Sequence, residues 1–323
     1  MHVQGRIGAL LPRSSDLERQ VTPRALIPPL TIFLTAVTAL ALVLTAAAIT
    51  PPPTIDMVAS PPHAAVSAAA LPEASTSLAR ITELVLPPPP VVIDLARLLY
   101  APGADGPSHA LSGPLLLVVE SGSLTAHLAG SGQLVHADRT AEAAEGTLSL
   151  RVGDNLVLPA ATPAAFHNGG DVPVIALVAG VFPAVAVASG LGRIGPARWA
   201  DAWSPGATVQ PLVGGWMLDL PSGPSTVALR RMSLRPGDGV PLTVPGPAIL
   251  AVETGALTLV ADQGMVWRQP PDGPDTLVGP DSQTTLLPDD GALLPGEAGV
   301  TLRNNGSSPL QLLVLTVDPD GAV

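Results

Sequence analysis

Glu120 and Glu253 each close an apolar run at the same place in two similar stretches, SGPLLLVVESGSLT (112–125) and PGPAILAVETGALT (245–258). Arg97 and Arg231 recur in the stretches that precede them. A carboxylate so placed can take a cation or a sugar hydroxyl, and a guanidinium can grip a carboxylate ligand. The same four residues can instead form ion pairs across neighbouring strands. Strand alternation counted from Leu115 puts Glu120 on the outer face of its sheet, which favours pairing over ligand binding. His109 is the other candidate, as a hydrogen-bond donor to a ligand or a general base, with Tyr100, the one tyrosine of the chain, as its nearest phenolic partner.

Much other chemistry is excluded. The chain has no cysteine, and all 15 basic residues are arginine, so thiolate nucleophiles, sulfur-ligated metals and lysine Schiff bases are absent. A net charge of −11 with no basic stripe argues against a nucleic-acid partner. No phosphate loop, nucleophile elbow, zinc motif or nucleotide fingerprint occurs. His127, His136, Asp138 and Arg139 lie in the variable middle of copy one, where GSGQLVHADRTAEAAEG has the composition of a solvated loop. His167 follows Phe166 in an alternating segment and is expected to point outward.

The elements that position these residues are strands. Hydrophobic residues make up 47% of the 323, yet aromatics only 2%, and 38 prolines with 32 glycines leave no room for long helices. Apolar runs such as LLLVVE and VIALVAGV are bounded by Gly, Pro, Asn and Asp. Three blocks recur in one order: 86–107 over 220–241, 112–125 over 245–258, and 158–178 over 294–314, at offsets of 133 to 136 residues. A duplicated domain follows.

Ahead of the repeats, LTIFLTAVTALALVLTAAAI supplies 20 consecutive, mostly apolar residues. At about 1.5 Å per residue it spans the roughly 30 Å hydrocarbon core of a bilayer. Arg6, Arg13, Arg19 and Arg24 precede it and keep the N-terminus cytoplasmic. The sequence therefore predicts a cytoplasmic segment over 1–25, a signal-anchor helix over 26–50 and a Pro/Ala-rich linker over 51–84. A membrane is the expected partner, and the C-terminal domains lie outside the cytoplasm. Secretion after cleavage at TAAAIT is the alternative. Repeat one spans 85–183 and repeat two 219–318; the connection, 184–218, carries Trp199, Trp203 and Trp216 and a short helix at GPARWADAW.

At these residues the chain resembles the cupin superfamily, whose first motif reads G-x5-H-x-H-x3,4-E-x6-G and second G-x5-P-x-G-x2-H-x3-N. Copy one matches with Gly103, His109, Gly122, Gly153, Pro159 and Asn168, but has Leu111, Leu115, Ala161 and Ala164 at the second His, the Glu, the Gly and the last His. Copy two keeps Gly255, Pro295 and Asn304, with Leu242, Val244, Ala248 and Val300 at the four ligand positions. The resemblance implies an all-β protein of two tandem jelly-roll barrels. It also implies that the imidazole and carboxylate set on which cupin metals rest is missing, so neither metal nor cofactor is expected. The expected function is a metal-free module that binds a small molecule, such as a carbohydrate, or a partner protein. The alternative is a metal-independent isomerase or epimerase working through His109, a residue otherwise vestigial at the barrel rim.

Overall fold

The computed structural model describes residues 75–184 and 206–321, all within the compact unit Ala65–Val323. The anchor, most of the linker and the GPARWADAW segment lie outside the described residues. Among the described residues no helix is long and apolar enough to cross a membrane. The described chain is all-β, twenty strands in three sheets, with curvature consistent with a jelly roll.

Barrel 1 is a nine-stranded sheet, formed by β2 (Val91–Tyr100), β3 (His109–Ala110), β4 (Leu115–Ser121), β5 (Ser123–Val135), β6 (Ala141–Arg151), β7 (Asn155–Leu158), β8 (Pro163–His167) and β9 (Val174–Pro183), with β10 (Ala207–Met217) at its edge. Barrel 2 is split between two sheets. One has the order β12 (Gly239–Val244), β19 (Ala298–Arg303), β14 (Leu257–Gln263), β17 (Ser282–Leu286). The other begins with β1 (Ser75–Leu84) and runs through β11 (Ser225–Leu234), β20 (Leu310–Pro319), β13 (Ala248–Thr254), β18 (Gly291–Leu294), β15 (Val266–Gln269) and β16 (Thr276–Val278).

Two of these strands lie where no strand was expected. Ser75–Leu84, the end of the anticipated linker, is β1, and it pairs antiparallel with β11 of barrel 2. Ala207–Met217, inside the anticipated connection, is β10, and it pairs with β2 of barrel 1 from Ala207↔Tyr100 to Met217↔Val91. Each barrel thus receives its edge strand from the segment leading into the other, a reciprocal exchange.

Alternation along β2 shows why its sequence, VVIDLARLLY, is almost wholly apolar. Val91, Ile93 and Leu95 face a core shared by the two barrels, whereas Ala96, Leu98 and Tyr100 face the interior of barrel 1. A strand buried on both faces needs apolar residues at both parities. The shared core joins Leu116, Leu177 and Val181 of barrel 1 to Leu229, Ile249, Leu313 and Leu315 of barrel 2, with Ile81 of β1 and Val213 of β10. Framework residues act at the turns. Gly122 and Gly255 take φ of +79° and +82° between consecutive strands, and a Cβ at Gly255 would meet the Pro309 carbonyl oxygen at 2.8 Å.

Candidate functional site

Glu120 and Glu253 occupy equivalent irregularities in register, between Val119 and Ser121 on β4 and between Val252 and Thr254 on β13. Their outward parity points them at the opposite barrel. Arg97 donates from Nε to Glu120 Oε2 at 2.8 Å and from Nη2 to Glu253 Oε1 at 2.5 Å. Arg231 answers with Nε to Glu253 Oε2 at 2.6 Å, Nη2 to Glu253 Oε1 at 2.9 Å, and Nη2 to Glu120 Oε1. Every one of the four residues therefore bonds within its own barrel and across to the other, in a pseudo-twofold arrangement. Their side chains retain 12 to 29% exposure at the margin of the shared core. Desolvation works to lower the pKa of Arg97 and of Arg231, but the adjoining carboxylates outweigh it and hold both above the ordinary arginine value. The cluster neutralises itself, with two cations against two anions.

The positions where cupins place metal ligands do converge. In barrel 1, His109 on β3 is the cross-strand partner of Ala164 on β8. Together with Leu111, Leu115 and Phe166 they line a cavity of about 10 Å³, room for about one water molecule. His109 Nε2 is buried there with no hydrogen-bond partner among the described residues. Tyr100 does not line this cavity; it sits in the barrel's own apolar core at 1% exposure, where burial pushes its phenol well above the ordinary range. The cavity beside His109 therefore does not join the two residues.

In barrel 2, Leu242 and Val300 are cross-strand partners in the same way. Leu242, Val244, Ala248 and Val300 are exposed by 3, 1, 1 and 1% and belong to one apolar cluster. The cupin fold implies a divalent metal here, and these residues do not fit one. Barrel 1 offers one imidazole among Leu, Ala and Phe, and barrel 2 offers no donor side chain at these positions, so nothing offsets an ion's desolvation. Among the described residues, no group of three or more His, Asp or Glu is placed to hold an ion.

The framework half of the motifs has a visible role. Asn168 donates from Nδ2 to the carbonyls of Tyr100, Ala101 and Val172 at 3.2, 3.1 and 2.9 Å, and accepts from Gly170 N–H at 3.1 Å. Asn304 repeats this with Leu234 and Ser308, both at 2.9 Å, and Gly306 N–H at 3.0 Å. The motif's Gly is a left-handed position here also: Ala161 and Glu297, which stand there, have φ of +62° and +60°.

The sequence reading passed over Asp154 and Asp290, the buried carboxylates after Gly153 and Asp289. Asp154 accepts from Ala137 and Arg151 N–H; Asp290 accepts from Leu287 N–H and Arg268. Their alignment between the copies was the available signal. In the β5–β6 hairpin, His136 lies 3.2 Å from Glu142 and 3.5 Å from Asp154, which raise its pKa, Glu142 foremost. His127 bonds Thr147, Arg139 N–H closes the turn onto the His136 carbonyl, and Asp138 accepts from the Thr140 hydroxyl and N–H, which lower its pKa. His167 is part-exposed, 3.7 Å from Asp105.

Two barrels closed by the same glycine turns and the same asparagine clasp give the chain a duplicated, cupin-like barrel fold. Solved structures similar to it in fold include a cupin 2 conserved barrel domain protein from Leptotrichia buccalis, at 12% identity and a TM-score of 0.34, covering 75% of this chain and 91% of that one. Oxalate decarboxylase from Bacillus subtilis aligns at 12% identity and 0.39, covering 77% of each chain. Vicilin from Capsicum annuum aligns at 14% and 0.41, covering 71% of this chain and 76% of that one. No protein-family profile and no curated protein matches the sequence.

Proposed function

We propose that this chain is a membrane-anchored, extracytoplasmic binding module whose two barrels work without metal. The observation that carries the proposal is the apolar filling of the ligand positions in both copies, Leu111, Leu115 and Ala164 in one and Leu242, Val244, Ala248 and Val300 in the other. The framework that closes the barrels is kept while every donor but His109 is absent, the pattern expected where the fold serves as a scaffold for binding. The anchor rests on the apolar run from Leu30 to Ile49 and the arginines before it. Adding Fe, Mn, Ni or Zn to the purified chain is expected to leave its melting temperature unchanged; a stoichiometric ion with a clear upward shift overturns the reading.

A further inference from the structure

Barrel 2 carries a second cavity, far larger than the one beside His109 and distinct from the barrel interior. Its volume is about 650 Å³, in the range of small-molecule sites. It opens where the chain passes from β10 into barrel 2, between the Leu218–Ser222 segment, the Pro245–Pro247 turn and the Pro295–Glu297 turn. Trp216 and Trp267 line it, with Asp219 and Glu297 as its charged groups. Among the described residues, no Arg or His lines it.

Glu297 is peculiar to the second copy, since the repeat aligns it with Ala161. The fold is satisfied at the equivalent place of copy one without a carboxylate. The backbone of Glu297 is left-handed at φ +60°, as is that of Ala161 at +62°, so the turn demands the conformation while leaving the side chain free. Trp267 is 41% exposed, an uncommon setting for a large aromatic, and Trp216 Nε1 is buried with no hydrogen-bond partner among the described residues.

We infer that this cavity binds a small organic cation, an ammonium compound with an apolar body. Indole faces attract a cation through the ring quadrupole, most strongly where water is displaced. Asp219 and Glu297 supply the matching charge, and a net charge of −11 makes the surroundings unfavourable to an anion. A neutral sugar would also stack on tryptophan, but it gains nothing specific from paired carboxylates with no cationic side chain among them.

This assignment rests on the reading of the chain as a binding module and names the ligand class of that module. The full chain in detergent micelles is titrated calorimetrically with choline and tetramethylammonium, and with glucose as the neutral comparison. Saturable binding of choline at a Kd of about 1 mM or tighter is expected, with tetramethylammonium also binding and glucose without effect. The Asp219→Asn/Glu297→Gln double variant and Trp267→Ala, both at the surface, should each weaken choline about tenfold without lowering the melting temperature. No saturable heat with either cation overturns the inference, as does choline binding unchanged in the double variant or glucose binding as tightly as choline. Because none of Leu242, Val244, Ala248 and Val300 lines the cavity, a metal-induced rise in melting temperature would overturn the metal-free reading and leave this titration to be judged alone.

Discussion

At the scale of single residues, the Arg97–Glu120–Arg231–Glu253 cluster is the most consequential polar feature of the described chain. Two arginines and two glutamates at the edge of an apolar interface balance only as a set, so neutralising one carboxylate leaves a net positive charge that partial burial shields poorly from its neighbour. Glu120→Gln and Glu253→Gln should each destabilise the fold by about 1–3 kcal/mol, by urea denaturation, and the double variant should depart from the sum of the two. A second residue carries a pH signature. Asp318 is pushed above its usual 3.8 by desolvation, with the Thr316 hydroxyl and the Gly246 N–H acting against the rise, and its Oδ1 is buried without a partner among the described residues. The folded state holds that proton more tightly than the unfolded chain. Its contribution is therefore full below pH 3.8 and is lost as pH climbs through the raised folded value. Asp318→Asn removes the titration, so the variant should melt higher than the parent near neutral pH, with the gap narrowing as pH falls toward 3.8.

At the scale of elements, two backbones meet too closely for any side chain at Gly113 and Gly246. A Cβ there would lie 1.9 Å from the Val181 carbonyl oxygen in copy one and 1.8 Å from that of Val317 in copy two. A rigid strand cannot yield that distance, so Gly246→Ala should destabilise by at least about 3 kcal/mol in thermal or urea melts. Gly279→Ala, where nothing lies within 4 Å, should be close to neutral. The glycines, prolines and asparagines of the repeat made the barrels legible, because turns and clasps are local and their spacing survives in sequence. Parity likewise placed Glu120 on an outer face. It could not say that this face meets the other barrel, since the partner is more than a hundred residues away. β1 and β10 escaped for the same reason. STSLARITEL reads as polar spacer by composition, and only Ala79 and Ile81 hint at the side that β11 and the shared core bury. The groove of Trp216, Asp219, Trp267 and Glu297 draws its lining from five separated stretches, so no window of sequence held it.

At the scale of the whole molecule, exchanged edge strands and a common core make the two barrels one cooperative body. Neither barrel's outer sheet face is finished without the other: β1 comes from the segment before barrel 1 to complete barrel 2, and β10 does the converse. Between them Ile93, Leu177, Leu229 and Leu313 pack in one cluster that belongs to neither alone. Independent barrels would melt separately, and a cavity made in one would spare the other. A shared core predicts a single calorimetric transition whose van't Hoff and calorimetric enthalpies agree. It predicts further that Leu229→Ala, a substitution in barrel 2, should cost about 2–5 kcal/mol and lower amide protection in β2 and β9 of barrel 1 by a similar amount. Leu259→Ala, inside barrel 2 and remote from the shared cluster, tests the strength of that coupling. If the body unfolds as one, it too must lower protection in β2 and β9. If protection there holds while β14 and β19 lose theirs, the barrels open separately, and the exchanged strands link them without fusing their stability.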